Sequence, residues 1–303
     1  MDRPLEPRDQ SLSTSGARAR RAVWSRQLRL WQLVLPATLF LVVYFVVPLG
    51  MLFYFSVRAP GVSGVTLVHF RKLLTDTFFL QTLGLSVRLS LEVTAVALVL
   101  GFPLAYLYTR LGPVWRLAIL FVTLLPLLTS AVVRSFAWIV ILGKHGLINT
   151  VFIGTGLTDG PVKLLFTLDG VRIALAQVQL PFMLLPLINA MEQLDPSLEH
   201  AAVSLGASQA RAFFKVTVPL SAPGVVAGAI LSFALTISAF ITPVMVGGGS
   251  FNVMPTLIYQ SAIVTLDWST ASTTALILLV VALAVVWGGM TLGRRFRYGP
   301  GSA

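Results

Sequence analysis

From Leu30 to Val57 the chain carries no charged residue. A helix of about 20 apolar residues crosses a hydrocarbon core roughly 30 Å thick, so this run predicts a first membrane span. Five more follow, at about Leu83 to Tyr108 (interrupted by Arg88 and Glu92), Leu117 to about Leu142 (with Arg134 inside), Ile173 to Met191, about Pro223 to Gly247, and about Trp268 to Leu292. Between Val216 and Leu266 there is again no charge, so that stretch holds the fifth span and a glycine-rich connection. None of these runs alternates apolar and polar residues as membrane β-strands do, so the spans are read as helices. The expected fold class is therefore all-α, a polytopic bundle of about six transmembrane helices. Pro36, Pro48, Pro103, Pro126, Pro181, Pro186 and Pro243 fall inside spans and predict kinks. No repeat with a solenoid period is visible.

Composition agrees with the pattern. Of 303 residues, 56% are hydrophobic and 11% charged, against about 25% charged in soluble domains. The net charge of +11 raises the question of nucleic acid, but its distribution answers against it. Seven arginines (Arg3, Arg8, Arg18, Arg20, Arg21, Arg26, Arg29) precede the first span, and Arg294, Arg295 and Arg297 follow the last. With both termini inside, Arg110, Arg116, Arg211 and Lys215 join them. The outer segments then hold only Arg58, Arg71, Lys72, Lys144, Lys163 and Arg172. The positive-inside rule thus predicts cytoplasmic termini and a cytoplasmic connection between spans four and five. The expected organisation is an Arg-rich tail over 1–29, read as an anchor against anionic lipid and followed by an uncleaved first span. A transmembrane domain over 30–298 comes next, and a short cytoplasmic tail over 299–303.

Chemistry-bearing motifs are scarce. There is no cysteine, and His69, His145 and His200 form no metal-ligand pair. The only Gly-Lys, Gly143-Lys144, lacks the earlier glycine of a phosphate loop. No H-E-x-x-H, G-x-S-x-G or paired intramembrane carboxylate occurs. No catalytic residue, metal site or bound cofactor is expected of this chain.

The connection over 192–221 is the most informative segment. Asp195 suits a helix N-cap, Pro196 the first helical position and Gly206 a left-handed C′ position. Leu198, Ala201, Ala202 and Leu205 share one helical face, with Glu199 and His200 off it. A second helix runs from the cap Ser208 through Val218 and is stopped by Pro219. Its apolar side carries Ala210, Phe213, Phe214 and Thr217, and Arg211 and Lys215 pair on the other. Two short amphipathic helices joined at a glycine make a knob suited to a partner's groove, or a linker packed on its own bundle.

Ala201, Ala202, Gly206, Val216 and Pro219 fall at the spacings of E-A-A-x3-G-x9-I-x-L-P, with Val218 where leucine is usual and His200 where the motif has glutamate. The segment resembles the cytoplasmic coupling loop of binding-protein-dependent ABC importer permeases. Gly101 to Tyr106, Val133 to Trp138, Gly146 to Asn149 and Thr256 to Gln260 look like segments of the spermidine/putrescine-type permeases. The resemblance covers roughly residues 80 to 290, with a core over 80–292, and implies a type I importer fold in a bacterial inner membrane. It implies a second permease subunit, the same or different, two ABC ATPase subunits that use the ATP, and a periplasmic or extracellular solute-binding protein. It also implies ATPase coupling through Glu199, His200, Ala201, Ala202, Gly206, Phe213, Phe214 and Pro219.

Polar residues inside spans are costly and ask for partners or a wet path. Arg134 is read either as shaping an outer gate or as a snorkelling, packing arginine. Glu92 either pairs with Arg88 at i, i+4 or faces the solute. Gln177, Gln179 and Asn189 in span four, and Ser238 and Thr242 in span five, are candidates for the pathway or for helix–helix contact. Gly247-Gly248-Gly249-Ser250 reads as a flexible loop. A self-sufficient secondary transporter or channel is the competing function, and ferric ion, thiamine and phosphonates are the competing cargoes.

Overall fold

The computed structural model describes residues 34–58, 64–195 and 197–297. The expected tails over 1–29 and 299–303, Pro196, and the side chains of Arg294, Arg295 and Arg297 lie outside the described residues. Two compact units divide the chain, Met1–Tyr54 and Phe55–Ala303. The first contributes most of a 23-residue apolar helix, α1 (Val34–Ser56).

In the second unit, α2 (Val68–Thr75) leads into α3 (Thr77–Arg110), then α4 (Pro113–Leu124), a 3₁₀ turn (Leu125–Leu128), α5 (Ala131–Leu142) and α6 (Leu147–Gly154). α7 (Leu168–Glu192) and α8 (Ser197–Ser204) precede a short helix, α9 (Gln209–Ala212), which passes through a π turn (Phe213–Thr217) into α10 (Val218–Leu220). α11 (Ala222–Ile237), α12 (Ile241–Gly247), α13 (Met254–Tyr259) and α14 (Trp268–Arg297) complete the order. Among the described residues there is no strand. Among the described residues, five helical stretches are long and apolar enough to span a membrane, α5 and α6 counting together as Ala131–Gly154, or six if the bent pair Gln209–Leu220 and Ala222–Ile237 counts as one span.

α3, α7 and α11 form the centre. In lipid, helices gain little from burying apolar surface against each other, so association rests on close packing and hydrogen bonds. The buried face of α3 is accordingly rich in small residues, with Thr82, Ser86, Ser90, Thr94, Ala97, Gly101 and Ala105 beside the larger Phe79, Leu89 and Val93. Its four hydroxyls each donate to the carbonyl one turn back, at 2.7–2.9 Å, so none is left unpaired in the interior. Ser86 also accepts the backbone N–H of Met254 at 2.8 Å, which ties α13 to α3. Gly224 and Gly228 bring α11 onto α7. A Cβ at Gly224 would sit 2.6 Å from that of Ala190, and one at Gly228 would sit 2.7 Å from the Met183 sulfur. Met183, Leu184 and Leu187 of α7 then fill the space against Ala97 and Ala105.

Two expected spans are not continuous. The run from Leu117 to Leu142 breaks at Thr129 and Ser130, which are extended (ψ 148° and 140°). Pro126 lies in the turn before the break; it lacks an N–H and crowds the carbonyl four residues back. The run from Pro223 to Gly247 breaks after Ile237, and α12 restarts at Ile241. The glycine run is not a free loop either. Gly248 (φ +58°) caps α12 in the left-handed conformation, donating its N–H to the Val244 carbonyl at 3.1 Å. The Phe166 ring fills the place a Cβ at Gly248 would take.

These contacts predict opposite outcomes for two glycines. Gly224→Val should destabilise the protein by about 2 kcal/mol through overpacking. Gly84→Ala, on the exposed face of α3 with open space around it, should stabilise by about 0.5 kcal/mol. Thermal unfolding in detergent measures both.

Candidate functional site

At the end of the bundle where α3 finishes and α7 ends, the chain builds a protruding loop from Glu192 to Ser221. Asp195 accepts the Ser197 N–H at 2.8 Å, and that hydrogen bond holds its carboxyl below the usual range. α8 closes in a Schellman arrangement: the Gly206 N–H donates to Val203 O at 2.9 Å and the Ala207 N–H to Ala202 O at 3.0 Å. Gly206 has φ +91°, the left-handed backbone its position predicts. Ser208 caps the next helix by accepting the Arg211 N–H at 3.3 Å.

Pro219 does not stop that helix. Having no N–H for the Lys215 carbonyl, it is accommodated by the π turn just before it. The chain continues to Leu220 and bends by 61° into α11. The two phenylalanines are neighbours, their rings 5.0 Å apart and edge-on, yet they differ in burial. Phe213 packs edge-on against Tyr106 at 4.8 Å and Phe102 at 5.7 Å on α3, whereas Phe214 is 68% exposed. With Leu198, Ala201, Val203 and Leu205 (89% exposed), Phe214 gives the knob an exposed apolar surface. Ala202 is half-buried.

Glu199 and His200 were expected to lie together off the apolar face; they part company. His200 is exposed. Glu199 turns into the bundle, with a side chain only 16% exposed. There it pairs with Arg110, accepts from Tyr106 Oη at 3.2 Å and accepts from Thr217 Oγ1 at 3.2 Å. The Arg110 guanidinium also lies 5.1 Å from the Tyr106 ring centroid. Three polar groups on α3 and the π turn outweigh the apolar pattern in deciding which side of α8 faces inward.

The second constellation lies where the two broken spans meet. A cavity of about 560 Å³ there is lined by Thr129, Arg134, Gln179, Phe182, Ser238 and Thr242, among others. Arg134 reaches back across the first break, its Nη1 donating to Pro126 O at 2.7 Å. Thr242 is buried, 3.5 Å from Ser135 Oγ, so it joins α12 to α5. Ser238 donates to Ala234 O and Leu235 O at the end of α11. Gln179 is 3% exposed, and its Oε1 has no hydrogen-bond partner among the described residues.

Two candidates sit elsewhere. Gln177 lies outside the cavity and accepts from Trp138 Nε1 at 3.4 Å. Glu92 pairs with Arg88 at 2.8 Å as expected, and also with Arg172 of α7 at 2.6 Å, a partner 80 residues away. It is not among the residues lining the cavity.

The sequence profile of the family described as binding-protein-dependent transport system inner membrane component matches residues 97–298, from the middle of α3 through α14. Over 214 residues the chain is 31% identical to the spermidine/putrescine transport system permease protein PotB of Haemophilus influenzae, covering 71% of this chain and 75% of that relative. The fold is similar to one in the crystal structure of a bacterial ABC transporter involved in the import of the acidic polysaccharide alginate. The TM-score is 0.72 at 18% identity, over 92% of this chain and 99% of that one. A chain of the alginate transporter in complex with an alginate pentasaccharide-bound periplasmic protein matches with a TM-score of 0.70 at 19% identity, over 89% and 96%.

The cavity residues divide by what they do for stability. Arg134→Met should cost about 2 kcal/mol, the worth of a charged hydrogen bond to the broken backbone. Gln179→Leu, which removes an unpaired buried oxygen, should leave stability unchanged or raise it by about 1 kcal/mol. Unfolding temperatures of the two variants in detergent decide this.

Proposed function

Because this chain belongs to the family of binding-protein-dependent transport system inner membrane components, we propose that it is one of two permease subunits of an ATP-driven importer for a polyamine of the spermidine/putrescine kind. The observation that carries the reading is the loop over 192–221. It is a capped, glycine-hinged knob that holds its polar face against the bundle and exposes Leu198, Leu205 and Phe214. Exposed apolar surface on a protruding helix is what a partner's groove binds. Two ABC ATPase subunits are the partners this surface suits, and they, not this chain, bind and hydrolyse the ATP. Coupling is mechanical.

Orientation follows from charge. Arg110, Arg116, Arg211 and Lys215 gather at the loop end, so that end and both termini belong in the cytoplasm. A periplasmic or extracellular solute-binding protein then delivers its cargo at the opposite end, near α6 and the Phe166–Gly248 contact. The second permease, the same chain or a different one, completes the path whose one side is the cavity between the breaks.

Support for the cargo is the similarity to the spermidine/putrescine permease. Selectivity is assigned to the binding protein, because the cavity has no carboxylate among its lining residues. A self-powered transporter would need a coupling carboxylate in its spans, and Glu92 is held by two arginines.

Reconstituted with its ATPases, second permease and binding protein, the complex should take up radiolabelled spermidine or putrescine only with ATP. Uptake by this chain alone in liposomes would overturn the reading, and uptake of ferric ion, thiamine or a phosphonate instead would overturn the cargo. Gly206→Pro should abolish uptake with normal membrane insertion, since proline cannot adopt φ +91° and removes the N–H that caps α8.

A further inference from the structure

We propose that Glu199, acting through Arg110, is the positioning residue that turns movement of the loop into movement of α3. The proposal deepens the importer reading and rests on it. The family motif puts its carboxylate at position 200, where this chain has histidine, so a contact from that carboxylate to an ATPase is not available here. The neighbouring carboxylate faces the other way, into the bundle.

Three features make Glu199 a transmitting element as well as a brace. First, it joins three separate pieces: its own helix α8, the last turn of α3 through Arg110 and Tyr106, and the π turn through Thr217. Among the described residues, every side-chain hydrogen bond from α8 to α3 ends on this one carboxylate. Second, the connection lies on the side of α8 away from the exposed Ala201 and Leu205, so pushing surface and pulling bond belong to one two-turn helix. Third, α3 is 34 residues long, about 50 Å at 1.5 Å per residue. A load applied at Arg110 reaches the far end of the bundle through one continuous helix, past the Glu92–Arg172 pair and the Ser86–Met254 bond. Its packing on α7 carries the same load to Gln179 and Phe182, which line the cavity.

The bond is charge-assisted and half-shielded from water: Arg110 is 41% exposed and Glu199 16%. A charge-assisted hydrogen bond is stiffer and stronger than a neutral one. The aromatic contact of Phe213 with Tyr106 is a second attachment, and it keeps the loop in place when the ion pair is removed. Loss of the carboxylate's charge should therefore loosen transmission without releasing the loop.

The test is the ratio of solute imported to ATP hydrolysed by the whole reconstituted complex with its binding protein. Glu199→Gln and Arg110→Met should each keep ATP hydrolysis within about twofold of the wild type and lower import per ATP by about tenfold, the equivalent of one charged hydrogen bond. The exchange Glu199→Arg with Arg110→Glu should recover part of that ratio. Import and hydrolysis falling together, with no recovery in the exchange, would mean a structural brace and overturn the proposal. So would single variants with a wild-type ratio. Either result leaves the importer reading standing, because that reading fails only if the wild-type complex shows no ATP-dependent uptake.

Discussion

Hydrocarbon cannot hydrogen-bond to a peptide group, so every backbone N–H and C=O inside the membrane needs a partner from the protein or from water. Continuous helices meet this demand without help; interrupted ones do not. Two of the apolar runs are interrupted, at Thr129–Ser130 and at Ser238–Phe240, and the structure answers each with side chains. Arg134 donates to Pro126 O, Thr129 Oγ1 donates to the same carbonyl at 2.8 Å, and Ser238 Oγ donates to two carbonyls at the end of α11. Both interruptions border the cavity. Irregular backbone at membrane depth is tolerable where it is buried in protein or lines a cavity, and here the two breaks line the same one.

At the loop the same chain solves a different problem. The knob exposes apolar surface and still stays attached to its own bundle. α8 divides these tasks between its sides, and adjacent residues of the π turn divide them too, Phe213 packing on Tyr106 and Phe214 lying exposed. The family resemblance read from Ala201, Ala202, Gly206 and Pro219 applies to the frame of this loop, and Glu199 with Arg110 attaches it to α3.

How much was legible depended on the range of the interaction. The spans around α3, α7 and α14 were visible because a predominantly apolar run of about 20 residues is a local property. The Gly206 cap was visible because glycine at that spacing has one common use. The breaks were not, since an apolar run looks alike whether its helix continues or restarts; Pro126 was the one sign, and it suggested a kink. The inward turn of Glu199 was hidden because its partner Arg110 is 89 residues away, and a helical wheel ranks faces by apolarity alone. The same distance problem hid Arg172 behind the Arg88–Glu92 pair. Gly247 to Gly249 misled by composition, since three glycines suggest looseness whereas here Gly248 caps α12 and makes room for Phe166. Gln179 was one polar residue among several in its span, and nothing in the sequence separated it from Gln177.

The π turn at Phe213–Thr217 has a further implication for how such loops diversify. A wide turn holds one residue more than an α-helix needs for the same rise. Losing any single residue between Gln209 and Val218 would let the regular helix re-form with what lies beyond it in nearly the same orientation, but Pro219 would then face the carbonyl four residues back that the wide turn now spares. The stretch therefore carries a length constraint that composition does not reveal. Point changes that respect size and polarity leave the wide turn intact, whereas a deletion would set Pro219 against the preceding turn.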